Sequence, residues 1–166
     1  MKCSQHLPQR NLKNNIRVTV HCLPNCESTV KKVFLNILRD YCERFKVECT
    51  KEKYKVQICF VEYNINVGDA GLTVHSEDHK KILIQLRDPF LNGWEDNQWT
   101  MDTFVTVLCH EIVHACQYLT GRKGFRIPRG KYDKKDKVES YFFNPLEVEA
   151  RALAGFYTVK YGQELI

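Results

Sequence analysis

The stretch VLCHEIVHACQ, residues 107–117, contains His110, Glu111 and His114 in the order H-E-x-x-H. Apolar residues cover most of the circumference of the surrounding segment, which predicts a largely buried helix from about residue 100 to residue 119. An α-helix turns about 100° per residue, so side chains four positions apart lie one turn apart on the same side. The two histidines therefore project together from a narrow polar strip on a mostly apolar helix.

Two imidazoles in this arrangement can bind one metal ion, at about 2.0–2.1 Å each if the ion is zinc. Glu111 can then hold the metal-bound water and accept its proton, which is the mechanical reason for the H-E-x-x-H spacing. The five-letter pattern also arises by chance, and its place on a buried helix argues against that origin. The pattern predicts a Zn²⁺ site formed by His110 and His114, with Glu111 as the catalytic base.

The third ligand must be of another residue type, because no histidine follows His114 and a catalytic zinc needs about three protein ligands. The last predicted helix, NPLEVEARALAGFY at residues 144–157, offers Glu147 and Glu149. Glu149 lies about 50° from the centre of the apolar face and Glu147 about 110°. A carboxylate near a core needs a partner, so Glu149 is predicted as the third ligand. Glu147 is the alternative, and a basic residue from the segment 122–137 could instead pair with Glu149.

The other segments alternate between strand and helix patterns. This order predicts one α+β domain over residues 1–166 that has a small antiparallel or mixed sheet, an active-site helix and a C-terminal helix. Residues 1–15 are expected to be a flexible N-terminal segment, and His75 and His79 to be exposed in or near a turn. The expected elements are a strand at 16–23, a helix at 28–45 capped by Ser28 or Thr29, a strand at 54–64, a hairpin of 70–76 with 80–86, and a helix from 144 to 161.

Composition narrows the class of protein. Apolar residues make up 43% of the chain and charged residues 27%, an ordinary globular balance. No apolar run approaches the roughly 18–20 residues that span a bilayer, and the polar N-terminus has no secretion signal. The eight cysteines are therefore expected to be reduced thiols in a cytoplasmic or nuclear protein. His21, Cys22 and Cys26 could form a second metal site, but no second cysteine pair accompanies them.

Positive charge is concentrated in the segment 122–137, which has eight Lys and Arg against two Asp in a chain of net charge +5. Such a segment could bind a nucleic acid or an acidic partner. A solvated loop is the simpler interpretation.

The residues His110-Glu111-x-x-His114 and, further on, Glu149-Ala150 resemble the zincin metallopeptidases, in particular the compact IrrE/ImmA-like gluzincins. FVTVLCHEIVHA (residues 104–115) also resembles the active helix of SprT-like proteases, which use a third histidine that this chain lacks. The resemblance, over roughly residues 54–160, implies a zincin-like fold, zinc bound by His110, His114 and Glu149, and Glu111 as the base. It also implies a polypeptide substrate, bound as an added strand on an edge strand beside the active helix.

The strand at 81–86 could be that edge strand or an interior strand. Hydrolysis would also need a donor for the developing oxyanion, for which Tyr141 is preferred over Tyr132 and Tyr157. A zinc endopeptidase is the favoured function. The alternatives are a zincin-like module that binds a peptide or nucleic acid without cleaving it, and a domain whose zinc only stabilises the fold.

Overall fold

A computed structural model describes residues 15–21, 26–61, 70–87, 101–122 and 144–165 of the chain. These segments form a four-stranded mixed sheet and three helices, which confirms the predicted α+β class. The strands are β1 (Ile16–His21), β2 (Tyr54–Val61), β3 (Gly71–Ser76) and β4 (Lys81–Arg87), and the helices are α1 (Glu27–Phe45), α2 (Met101–Leu119) and α3 (Pro145–Tyr161), followed by a short 3₁₀ turn at Gly162–Glu164.

The strands lie in the order β1-β2-β4-β3. β1 pairs with β2 and β2 with β4 in parallel, and α1 connects β1 to β2. β3 and β4 form the predicted antiparallel hairpin, with Gly71 opposite Leu86 and Ser76 opposite Lys81. β4 pairs on both sides, so the possibility that the strand at 81–86 forms the edge is corrected. β3 is the edge strand on that side of the described sheet.

One face of the sheet forms the core. Every second residue of β2 and β4 is buried, as expected for strands whose side chains alternate between two faces. α2 packs against this core and against both other helices, and the ring of Phe104 lies 5.5 Å from that of Phe60. The fully buried side chains of α2 include Leu108, Ile112, Ala115 and Leu119. α2 is therefore a central helix, and polar groups on its buried faces, such as Glu111 and Gln117, have little access to solvent.

Three local details differ from the sequence-based predictions. α1 begins at Glu27 after Cys26, which makes no side-chain capping bond, so the predicted caps Ser28 and Thr29 are wrong. His75 lies in β3 rather than in the turn, and its ring stacks between Tyr54 and Tyr118 with centroids 6.1 and 4.5 Å away. His79 lies in the turn and is exposed, as expected.

Several predictions fall on residues outside the described ranges. They concern the N-terminal segment up to residue 14, Cys22, Tyr132, Tyr141 and the basic segment after Arg122. Within the described ranges, none of the six cysteines forms a disulfide. None of the helices searched, all in the described part of the chain, has the length and apolar character needed to cross a membrane.

The start of α3 is fixed by a side-chain cap. The Asn144 side chain accepts a hydrogen bond from the Leu146 N–H at 3.0 Å, and Pro145 occupies the first helical position, where no N–H is needed. This cap orients the first turn of α3, which presents its acidic residues to α2.

Replacing Asn144 with Ala should lower the free energy of unfolding by about 1 kcal/mol, because the Leu146 N–H loses its acceptor. Chemical denaturation of the metal-free protein, followed by circular dichroism, measures the change. The matched variant Asn144→Ser keeps a capping oxygen and should lie within a few tenths of a kcal/mol of the wild type. Equal stability of the Ala and Ser variants would show that the cap does not stabilise α3.

Candidate metal centre

α2 brings His110 and His114 together on one side, one turn apart. Their Nε2 atoms are 3.1 Å apart, so both ring nitrogens point toward the same small volume. Both side chains are largely but not fully buried. This is the arrangement expected from the spacing of four residues.

Glu147, in the first turn of α3, completes the cluster. Its Oε1 lies 3.2 Å from Nε2 of His114, and its Oε2 lies 3.5 Å from Nε2 of His110. One ligand atom from each of the three side chains lies within 4.8 Å of the others. Two imidazole nitrogens and a carboxylate oxygen are a donor set typical of catalytic zinc, and three protein ligands leave a position open.

Glu149, the predicted third ligand, lies outside this cluster. Its carboxylate accepts hydrogen bonds from Arg122 Nη2 at 2.6 Å, from the Tyr41 hydroxyl at 2.5 Å and from Gln117 Nε2 at 3.1 Å. Arg122 is the first residue of the basic segment, so the alternative of a basic partner for Glu149 is the arrangement found. The helical-wheel argument failed because the first turn of α3 faces the two histidines rather than apolar side chains.

Glu147 has the burial and the unpaired carboxylate oxygen expected of a metal ligand. Its side chain is 12% exposed, and among the described residues its buried Oε2 has no hydrogen-bond partner. Burial alone would raise the pKa of Glu147, but the two imidazoles outweigh it and hold the pKa far below its usual value. At 3.5 Å the contact with His110 is electrostatic rather than a formed hydrogen bond. A buried carboxylate oxygen without a donor fits a metal ligand.

Glu111 lies beside this cluster and is only 6% exposed. The Thr73 hydroxyl lies 2.6 Å from its Oε2 and 3.1 Å from its backbone oxygen. Burial raises the pKa of Glu111 above its usual value, although the Thr73 hydrogen bond and both imidazoles act in the opposite direction. A carboxylate with a raised pKa is a better proton acceptor than an ordinary surface glutamate.

β3 approaches α2 closely at Gly71. A Cβ atom at this position would lie 2.8 Å from Cγ of Glu111, 2.8 Å from Cγ1 of Val107 and 2.9 Å from Oε1 of Glu111. Any side chain at Gly71 would therefore displace the Glu111 carboxylate or separate the strand from the helix. Gly71 and Thr73 thus contact Glu111, and neither is among the residues predicted for the site.

The predicted oxyanion donors do not extend the described site. Tyr141 and Tyr132 lie outside the described residues. The Tyr157 ring is fully buried and packs against Phe156 and Tyr161. It lies ten residues beyond Glu147 on α3, about 15 Å along the helix axis. Tyr157 is therefore a core residue, and Tyr141 stays a prediction.

Two glycine substitutions test the close approach of β3. Gly71→Ala should lower the free energy of unfolding by about 1–3 kcal/mol, as expected when atoms are forced into a packed region. The matched control is Gly155→Ala in α3, where a Cβ would meet nothing within 4 Å. That variant should be more stable by about 0.5–1 kcal/mol, because alanine favours helix. Urea denaturation of both variants gives the values, and a Gly71 variant as stable as the wild type would contradict the contact.

Two charge-matched substitutions on α3 test the ligand assignment. Glu147→Gln should lose most of its bound zinc after dialysis against buffer with trace zinc, because one of three ligands loses its charge. Glu149→Gln should still bind one zinc ion per chain when zinc is saturating. Elemental analysis measures the metal content of both. Loss of zinc from the Glu149 variant alone would restore the sequence-based assignment.

Comparison with known proteins gives no family for the chain. No family model, no curated protein and no solved structure was found to match it. The likeness to zincins therefore rests on the H-E-x-x-H motif, and the zincin-like fold stays a prediction.

Proposed function

We propose that this protein is a zinc-dependent metallopeptidase with a compact zincin-like fold. His110, His114 and Glu147 would bind the ion, and Glu111 would act as the general base. The observation that carries the proposal is the convergence of three ligand atoms, from two histidines and one glutamate on two helices, beside a second, buried carboxylate, that of Glu111. A buried glutamate in this position can act as the general base of a hydrolytic metal site.

The number of ligands favours catalysis over a structural role. Structural zinc sites normally have four protein ligands, whereas this cluster has three among the described residues. A zinc ion held here would supply Lewis acidity and lower the pKa of a water molecule at its open position. The chain's own contribution is to orient the ligands and to place a proton acceptor beside them.

Glu111 would take the proton from the attacking water and pass it to the leaving amine. Its burial suits this role, because a raised pKa brings the carboxylate closer to the working pH of a general base. Thr73 holds Oε2 of Glu111 on the side of β3, and Gly71 leaves room for the side chain. The base is therefore fixed in place by the edge strand.

The edge strand also offers a binding surface for an extended polypeptide. The Arg87 N–H donates to the carbonyl oxygen of Ala70 at 3.1 Å, and from this pair every second residue of β3 bonds to β4. The residues between them, Gly71, Thr73 and His75, therefore direct their N–H and C=O groups to the outer edge. A substrate strand added there would pass next to Glu111, which supports a polypeptide substrate. β3 replaces the strand at 81–86 in this role.

The alternative of a module that binds nucleic acid has less support. Of the segment 122–137, the structure describes only Arg122, and its guanidinium is already paired with Glu149 at 2.6 Å. Among the described residues, no contact joins the basic segment directly to His110, His114 or Glu147. We therefore retain the peptidase as the proposed function.

Glu111→Gln should lower the rate of peptide-bond cleavage by a factor of about 10² or more while zinc binding is retained, since it removes the proton acceptor and no ligand. Casein digestion by the zinc-loaded protein, with new termini identified by mass spectrometry, measures the rate. The exposed residue Glu48 provides the control variant Glu48→Gln, which should cleave like the wild type. Undiminished cleavage by the Glu111 variant would refute the proposal.

A further inference from the structure

Gln117 is a buried amide that connects the metal cluster to the rest of the molecule. It lies on α2 one turn after His114, and its residue is only 2% exposed. Its Oε1 is 2.8 Å from Nδ1 of His114, and its Nε2 donates to the Leu146 carbonyl at 3.0 Å and to Glu149 Oε1 at 3.1 Å. Both polar atoms of the Gln117 side chain therefore have hydrogen-bond partners.

These partners fix the orientation of the Gln117 amide. The Leu146 carbonyl and the Glu149 carboxylate accept hydrogen bonds and cannot donate them, so the NH₂ group must face both. The amide oxygen then faces Nδ1 of His114, and that nitrogen must carry a hydrogen. In the neutral imidazole only one nitrogen is protonated, so Nε2 is left with its lone pair. That lone pair points toward His110 and Glu147.

The far end of the network is anchored in two other parts of the fold. Glu149 accepts hydrogen bonds from the Tyr41 hydroxyl of α1 and from Arg122 after α2. The Arg122 guanidinium lies over the Phe45 ring at 4.0 Å from its centroid. Gln117 therefore cannot rotate without breaking a buried connection that joins all three helices.

We propose that Gln117 is a positioning residue that holds His114 in the tautomer able to bind a metal, and that Glu149 supports it from behind. This inference rests on the metal site of the proposed function but not on peptidase activity. A ligand histidine whose other nitrogen donates to a fixed acceptor is oriented before the metal arrives, and loss of such a partner weakens metal binding by about 10–100-fold. Glu149 thus supports the metal site without being a ligand.

The first test reads the tautomer directly. Two-dimensional NMR of ¹⁵N-labelled imidazole rings, in metal-free protein at a pH where His114 is neutral, should show the hydrogen on Nδ1. In Gln117→Met, which keeps the approximate size of the side chain but has no amide, the two tautomers should become mixed. A wild-type His114 with its hydrogen on Nε2 would overturn the proposal, whether or not the variant folds.

The second test measures zinc affinity by competition with a chelator. Gln117→Met should bind zinc about 10–100-fold more weakly than the wild type. The exposed residue Gln163 gives the matched control Gln163→Met, which should bind zinc with unchanged affinity. An unchanged affinity in a folded Gln117 variant would overturn the proposal.

The outcomes also separate this proposal from the peptidase. A protein that binds zinc in a Gln117-dependent manner but cleaves no peptide would support the positioning role and refute the enzyme. A wild-type protein that cleaves peptides but has the His114 hydrogen on Nε2 would support the enzyme and refute the positioning role.

Discussion

The burial of α2 is the constraint on which the site depends. Because this helix packs against the sheet and against both other helices, each polar side chain on its buried faces needs a partner within the protein. Glu111 has Thr73, His114 has Gln117 and Glu147, and Gln117 has Leu146 and Glu149. Partners of this kind restrict rotation, so a helix that is buried for packing reasons also holds its reactive groups in fixed positions.

Glu147 and Glu149, both in the first turns of α3, have different surroundings. Glu147 meets the histidines and has a buried oxygen with no hydrogen-bond donor among the described residues, whereas Glu149 is satisfied by three donors. A carboxylate that already accepts three hydrogen bonds gains little from a cation. A buried carboxylate oxygen without a donor is stabilised by one. The difference arises from position along α3, since the two side chains are only two residues apart but project in different directions.

The sequence was sufficient for the elements and for two of the three predicted ligands that meet in the cluster. Periodicity placed the helices and the hairpin, and the spacing of His110 and His114 required them to share a side of α2. It could not identify Glu147, because the choice depends on which part of α2 the first turn of α3 crosses. The sequence shows Gln117 only as a polar residue of α2 and gives no sign of its buried partners. A lone glycine at the start of a strand, such as Gly71, does indicate a close approach, but not to which residue.

The balance of charge at the cluster also favours a divalent cation. Glu111, Glu147 and Glu149 contribute three carboxylates to one connected region, and Arg122 pairs with Glu149 at 2.6 Å. An excess of negative charge is costly in a largely buried setting, and neutral imidazoles do not offset it. Burial alone would lower the pKa of His114, yet Glu147 raises it above its usual value, which favours proton uptake by His114 in the metal-free protein. A zinc ion would supply positive charge to the same region, and its binding would require His114 to be neutral.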